Sequence, residues 1–131
     1  MFGAASKGHL NAKTREAIAL TVSEIDACDY CLSAHSLLGK GAGLGEGDLD
    51  KAREAKSDDA RLAATLTFAK TIVEKRGRVS DQDMAAVRRA GLGDAEILDV
   101  VANVALTTFT NYLNEVAKTE IDFPVVTHHA R

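Results

Sequence analysis

The chain has 131 residues, of which 46% are hydrophobic and 27% are charged, and its formal net charge is -3. This composition is typical of one folded domain with a real core and excludes an intrinsically disordered chain. The positive residues are scattered among acidic ones and form no basic stripe, so we expect no nucleic-acid partner. No apolar run reaches the length of a membrane span and the N-terminus lacks the apolar core of a signal peptide, so we expect no membrane association and a cytoplasmic location.

The N-terminal part predicts a loose arm followed by a long helix. Residues 1–9 are small, polar and glycine-containing, which is typical of an arm. Asn11 suits the N-cap of a helix that runs to about Ile25, in which Ile18 and Val22 form an apolar stripe with Ile25. Glu16 lies on nearly the opposite side, among alanine and leucine residues. Because this helix is apolar on both sides, we expect it to be central and Glu16 to be at least partly buried.

The second predicted helix opens at Cys28 and ends in a glycine-rich stretch, residues 39–47. This stretch fits neither the phosphate-binding pattern G-x-x-x-x-G-K-[ST] nor the dinucleotide-binding pattern G-x-G-x-x-G, and no strand precedes it. It therefore predicts the end of a helix and a mobile connection.

Four further helices are predicted after the glycines. The first spans residues 48–56, and the second runs from a cap at Ser57 or Asp58 to about Arg76. The third runs from a capping box at Ser80 and Asp83 to Gly91, and the fourth from about Asp94 to Thr119. No segment alternates apolar and polar residues as a half-buried strand does. The fold class is therefore all-α, with one domain over residues 1–131 built as a bundle of about six helices. Residues 121–131, around Pro124, are expected to form an extended tail on the surface.

The last predicted helix is apolar around its whole circumference. It carries no charge between Asp99 and Glu115, yet it is too rich in asparagine and threonine to be a membrane span. A helix that is apolar all round must be covered all round. Since a chain of this size has few elements to cover it, part of the cover is expected from another subunit.

The chemistry of the chain is concentrated at its two cysteines. Cys28 and Cys31 form a C-x-x-C motif, and His35 follows four residues later. If the second helix begins near Cys28, its unpaired backbone N–H groups and its dipole favour a thiolate there. Cys31 and His35 lie one turn apart on the same face, so the imidazole is placed to take the Cys31 proton. Glu16, on the neighbouring helix, is the natural candidate to orient the imidazole, as the third member of a catalytic triad does.

The residues alone leave three kinds of site open. A thiol pair in the cytoplasm is kept mostly reduced, which favours redox chemistry over a permanent structural disulfide. Cys28, Cys31 and His35, with Glu16 as a fourth ligand, form a possible metal site, although the spacing is compact for zinc and a second ligand pair is absent. A non-redox, decarboxylase-like enzyme would use Glu16 and His35 as base and acid, with the cysteines incidental.

The order of these residues resembles a known core motif. Glu16, Cys28-x-x-Cys31 and His35 are spaced as in the alkylhydroperoxidase D (AhpD) branch of the carboxymuconolactone decarboxylase family. The likeness extends over roughly residues 10–124. Within that range, residues 15–23 precede the cysteines, a glycine-rich break follows His35, and a late apolar helix reaches residues 111–114.

Two features distinguish this chain from its nearest groups within the family. Tyr30 stands where the best-known AhpD sequences have a histidine, and the chain is shorter than the two-repeat AhpD form, so it resembles a single-repeat relative. The lactone decarboxylases of the family generally lack the C-x-x-C pair, which argues against that activity here.

The resemblance implies a thiol-dependent peroxidase or disulfide oxidoreductase that reduces hydroperoxides in antioxidant defence, assembles as a trimer or hexamer, and uses no cofactor and no metal. Cys31 would be the peroxidatic cysteine and become a sulfenic acid. Cys28 would supply a proton to the leaving oxygen and then condense with the sulfenate, as the resolving and exchange-prone sulfur. Glu16 and His35 would form the proton relay. A dithiol, carried by a lipoyl-bearing protein in the AhpD case, would reopen the Cys28–Cys31 disulfide.

Overall fold

The computed structural model describes residues 8–130 of the chain. These residues form six α-helices, joined by short connections, and no strand. In chain order they are α1 Ala12–Ile25, α2 Asp29–Gly41, α3 Glu46–Arg53, α4 Ala60–Glu74, α5 Asp81–Arg89 and α6 Asp94–Ala117. The all-α prediction is confirmed. The predicted loose arm falls mostly on residues 1–7, outside the described residues, and His9 at its end donates its backbone N–H to the Asp99 carboxylate.

The helix ends follow local capping chemistry. The Asn11 side chain accepts from the N–H of Thr14 at 2.8 Å, as predicted for the start of α1. The cap of α4 is Asp59, which accepts from the N–H of Leu62 at 2.8 Å, and so differs from the predicted Ser57 or Asp58. Helix α3 ends earlier than predicted because Ala55 adopts the left-handed region, with φ of 59°, and stops the helical path.

Helix α1 is the centre of the fold. It packs against α2, α3, α4 and α6, and every residue from 17 to 23 is buried. Its two buried hydroxyls have partners, since Thr21 donates to the Ala52 carbonyl at 2.7 Å and Ser23 donates to Oδ1 of Asn111 at 3.0 Å. The expected central position of this helix is confirmed.

Helix α6 buries only part of its apolar surface. Ile97, Val100 and Val104 face the core, whereas a second set of large side chains is exposed. We call this second set the apolar face of α6; it consists of Leu98, Val101, Phe109, Tyr112, Leu113 and Val116. That another subunit covers this face stays a prediction. Within residues 8–130, no helix combines the length and the apolar character that crossing a membrane requires.

The C-terminal segment, residues 121–130, is extended and runs over the first turns of α2. The N–H of Val126 donates to the Ser33 hydroxyl and the N–H of His128 donates to the Asp29 carboxylate, both at 2.8 Å. The rings of Tyr30 and Phe123 meet edge to face with centroids 5.6 Å apart. The segment therefore holds the outer side of the helix that carries the cysteines.

Candidate active site

The two cysteines meet at the start of α2. Ala27 adopts the left-handed region, with φ of 55°, and reverses the chain between α1 and α2, so that Cys28 becomes the N-cap of α2. Cys28 and Cys31 are joined by a disulfide, with their Cα atoms 5.3 Å apart. The N–H of Cys31 also points at the Cys28 sulfur, at 3.3 Å. The Cys28 sulfur thus lies where the free N–H groups of a helix start favour negative charge.

Glu16 and His35 form a pair across the contact between α1 and α2. Nδ1 of His35 lies 2.6 Å from Oε2 of Glu16, and their side chains are 24% and 20% exposed. An ionised carboxylate only accepts hydrogen bonds, so Nδ1 carries the shared proton, and in the neutral form of the ring Nε2 is left as the acceptor. Glu16 is partly buried, as expected.

A glycine that the sequence interpretation treated only as a helix terminator allows α2 to lie close to α3. A Cβ added at Gly39 would lie 2.8 Å from a side-chain carbon of Leu49 and 3.8 Å from Cβ of Glu16. Gly39 is buried within α2, and its missing side chain lets that helix pass close to Leu49 of α3. The sequence signal for this role was a glycine one turn after His35 on the same helix.

A cavity of about 320 Å³ brings the predicted site residues together. Its wall includes Glu16, Cys31 and His35, with Arg15 and Tyr30 at their sides. Cys28 does not line it and is fully buried, whereas Cys31 is 3% exposed. Cys31 is therefore the cysteine that the cavity reaches, and which of the two sulfurs exchanges with an external thiol stays a prediction.

Helix α6 supplies the opposite wall of the cavity, which the sequence interpretation missed. Its contribution is a polar stripe made of Asn103, Thr107, Thr110 and Asn114. These residues are spaced four, three and four apart, so they lie on one face of the helix. The signal was therefore present as a helical stripe of polar residues on an otherwise apolar helix, although that polarity was used only to exclude a membrane span.

The described residues also form a second cavity, which differs from this site in its chemistry. A larger cavity of about 570 Å³ lies near the start of α1 and is lined by charged side chains that include Asp58, Arg61 and Glu96, but its wall holds neither cysteine. Within residues 8–130, no group of three histidine, cysteine, aspartate or glutamate side chains could hold a metal ion. The smaller cavity is therefore the one that holds a redox-active sulfur, whereas the larger one is lined by charged, polar and apolar side chains without a cysteine.

The fold and the site define a class of protein: a small helical domain in which a C-x-x-C disulfide and a glutamate–histidine pair share one cavity. A family model for the carboxymuconolactone decarboxylase family matches residues 1–75, more than half of the chain. The chain belongs to the carboxymuconolactone decarboxylase family, and the resemblance drawn from its motif is confirmed.

The fold is also similar to a solved structure. The crystal structure of an uncharacterized peroxidase-related protein from Silicibacter sp. TM1040 superposes with a TM-score of 0.77 at 23% sequence identity. The match covers 92% of this chain and 62% of that protein, so this chain spans less than two thirds of its length. At this level of identity the likeness shows the fold. A search of curated proteins found no match.

Proposed function

We propose that the protein is a thiol-dependent peroxidase and disulfide oxidoreductase of the AhpD kind, which reduces hydroperoxides through Cys28 and Cys31. One observation carries the proposal: the disulfide opens through Cys31 onto the cavity that also holds the Glu16–His35 pair. Membership of the family and the likeness to a peroxidase-related protein support it.

The first step acts on the reduced form of the protein. Nε2 of His35, held by Glu16, takes the proton of the Cys31 thiol. The Cys31 thiolate then attacks the hydroperoxide, so that an S–O bond forms and the O–O bond breaks. The sulfur loses two electrons and becomes a sulfenic acid, while the leaving alkoxide takes a proton from the Cys28 thiol and departs as an alcohol.

The second step closes the disulfide. Cys28 is now a thiolate, and the start of α2 stabilises its charge through the N–H of Cys31, 3.3 Å from the sulfur. It attacks the Cys31 sulfur and expels hydroxide, which becomes water with the proton held on His35. In sum, one hydroperoxide and two thiols give one alcohol, one water and the disulfide.

A dithiol supplies the two electrons that reopen the disulfide, and we propose either a small dithiol or the arm of a lipoyl-bearing protein. Its thiolate enters the cavity and attacks Cys31, and Cys28 leaves as the thiolate that the start of α2 stabilises. We place this cycle in the cytoplasm, where such reductants keep thiol pairs reduced. We also propose that the working form is a trimer or hexamer that covers the apolar face of α6.

The experiment that tests the function measures thiols and peroxide together. The reduced protein is expected to lose about two thiols per chain with an organic hydroperoxide and to regain them with dihydrolipoamide. Cys31→Ser is expected to abolish peroxide consumption in a coupled assay. Cys28→Ser, the matched control, is expected to react once and to leave a sulfenic acid that dimedone traps on Cys31. Consumption of peroxide by Cys31→Ser at the parent rate would show that the proposal is wrong.

A further inference from the structure

We infer that Asn114 is a further catalytic residue, whose amide N–H binds the Cys31 sulfur and stabilises its thiolate. The inference rests on the proposed function, since it assigns a role in the same cavity to a residue outside the motif. Nδ2 of Asn114 lies 3.7 Å from the Cys31 sulfur, across the cavity from the Glu16–His35 pair. Asn114 therefore touches the reacting atom itself.

The orientation of this amide is set by a second hydrogen bond. Nδ2 of Asn114 also donates to the backbone carbonyl of Thr110 at 2.8 Å, one turn earlier in α6. A backbone carbonyl only accepts, so the nitrogen of the amide, and not its oxygen, must face it. With one N–H used there, the other N–H of the same nitrogen is available to the Cys31 sulfur.

The end of α6 is held in place by a buried hydrogen-bond network at Asn111, one turn before Asn114. Asn111 is fully buried; its Oδ1 accepts from the Ser23 hydroxyl at 3.0 Å, and its Nδ2 donates to the Asp26 carboxylate at 2.8 Å. These bonds join α6 to the last turn of α1 and to the turn before Cys28. The position of Asn114 relative to the Cys31 sulfur at the start of α2 is consequently fixed.

The contact gains strength when the disulfide is reduced. A disulfide sulfur is a weak acceptor, whereas a thiolate carries a full negative charge and forms a charge-assisted hydrogen bond. Arg15, Glu16, Tyr30 and His35 are the ionisable groups that share the cavity with Cys31. Because Asn114 is uncharged, it adds a donor at every pH without competing with the proton transfer between His35 and the thiol.

The expected effect of losing this donor follows from the energy of hydrogen bonds to charged groups. Asn114→Leu removes the N–H at similar volume, and we expect the pH midpoint of Cys31 alkylation to rise by about one unit. At a pH below both midpoints the thiolate fraction then falls about tenfold, while each thiolate becomes about threefold more nucleophilic, so the observed rate there falls about threefold. Asn114→Asp keeps the shape and adds a negative charge beside the sulfur, so its midpoint is expected to rise further.

The experiment uses the full chain with Cys28→Ser, so that Cys31 is the reporting thiol. Alkylation of Cys31 by iodoacetamide is followed by mass spectrometry between about pH 5 and 10. Asn103→Leu is the matched control, because Asn103 lies on the same stripe but its amide donates to the Asp99 carbonyl at 2.8 Å. We expect the control to keep the parent midpoint. Circular dichroism checks that each variant is folded, and Asn114→Ala, which removes the N–H without adding a charge, takes the place of Asn114→Leu if that variant does not fold.

The outcomes separate this inference from the proposed function. Raised midpoints in both Asn114 variants, with an unchanged Asn103 variant, support the inference whether or not the parent protein consumes peroxide. A parent that consumes peroxide while both Asn114 variants keep its midpoint overturns the inference and leaves the proposed function standing. A midpoint that rises equally in the Asn103 variant also overturns it, since the effect would then belong to the polarity of the cavity.

Discussion

The Glu16 carboxylate holds Nδ1 of His35 at 2.6 Å across the contact between α1 and α2. The two residues are 19 positions apart in the chain, and they meet because the turn at Ala27 reverses the chain and packs α2 against α1. The pair fixes the imidazole with Nε2 as the proton acceptor in the cavity of Cys31. In the proposed cycle, the charge of Glu16 would allow the imidazole to hold the proton taken from the Cys31 thiol.

Glu16→Gln tests this relationship directly. The amide keeps the shape of the side chain but no longer stabilises a protonated imidazole, so we expect peroxide consumption to fall about 10- to 100-fold. The measurement is the initial rate with an organic hydroperoxide and excess dithiol. Glu115→Gln is the control, because Glu115 is exposed on α6 and does not line the cavity. A Glu16 variant within twofold of the parent would exclude the carboxylate from the relay.

The half of the site on α1 and α2 could be predicted from the sequence, whereas the half on α6 could not. Glu16, Cys31 and His35 belong to one local motif whose spacing sets their positions on two consecutive helices. The position of Asn114 depends instead on a contact between residues 83 positions apart, and no local pattern gives the rotation of α6 against α2. The buried state of Cys28 likewise depends on packing, which the local spacing of the motif does not give.

The second prediction concerns which sulfur an external thiol attacks. Cys31 faces the cavity and Cys28 is fully buried, so we expect 5,5′-dithiobis(2-nitrobenzoic acid) to label Cys28→Ser at least about tenfold faster than Cys31→Ser. Both variants are measured reduced and folded, and then again in denaturant, where the two rates should become similar. Equal rates in the folded state, or a mixed disulfide mapped to Cys28 of the oxidised parent, would contradict attack through the cavity.

The third prediction concerns acid. Burial raises the pKa of Asp29, but the hydrogen bonds from the His128 ring and backbone N–H outweigh it, so that the pKa lies below its ordinary value of 3.8. A depressed folded-state pKa means that the contribution of Asp29 to stability is present above the ordinary value and is lost as the pH falls through the folded one. We therefore expect the C-terminal segment to leave α2 only as the pH falls below 3.8 and through the lower folded-state pKa, seen as faster hydrogen exchange at Val126 and His128.

Asp29→Asn should loosen the same amides at neutral pH, because the neutral side chain gives His128 a weaker acceptor. Asp122→Asn is the matched control, since Asp122 is an exposed aspartate in the same segment. Protection of Val126 and His128 that is the same in Asp29→Asn as in the parent would mean that the other contacts of the segment, such as those of Ser33 and Tyr30, hold it without Asp29.

The fourth prediction concerns the apolar face of α6. Val116 is 83% exposed in the single chain and lies beside Tyr112 and Leu113 on the last turns of α6. Val116→Glu is harmless in a monomer, because an exposed charge remains hydrated, but it places an unpaired carboxylate inside any interface that covers this face. We expect the parent to sediment as a trimer or hexamer and Val116→Glu to sediment as a smaller species. Val125→Glu makes the same change at a 65% exposed valine outside the face, and it should keep the mass of the parent. A monomeric parent, or a Val116 variant with the parent's mass, would show that no second copy covers this part of the face.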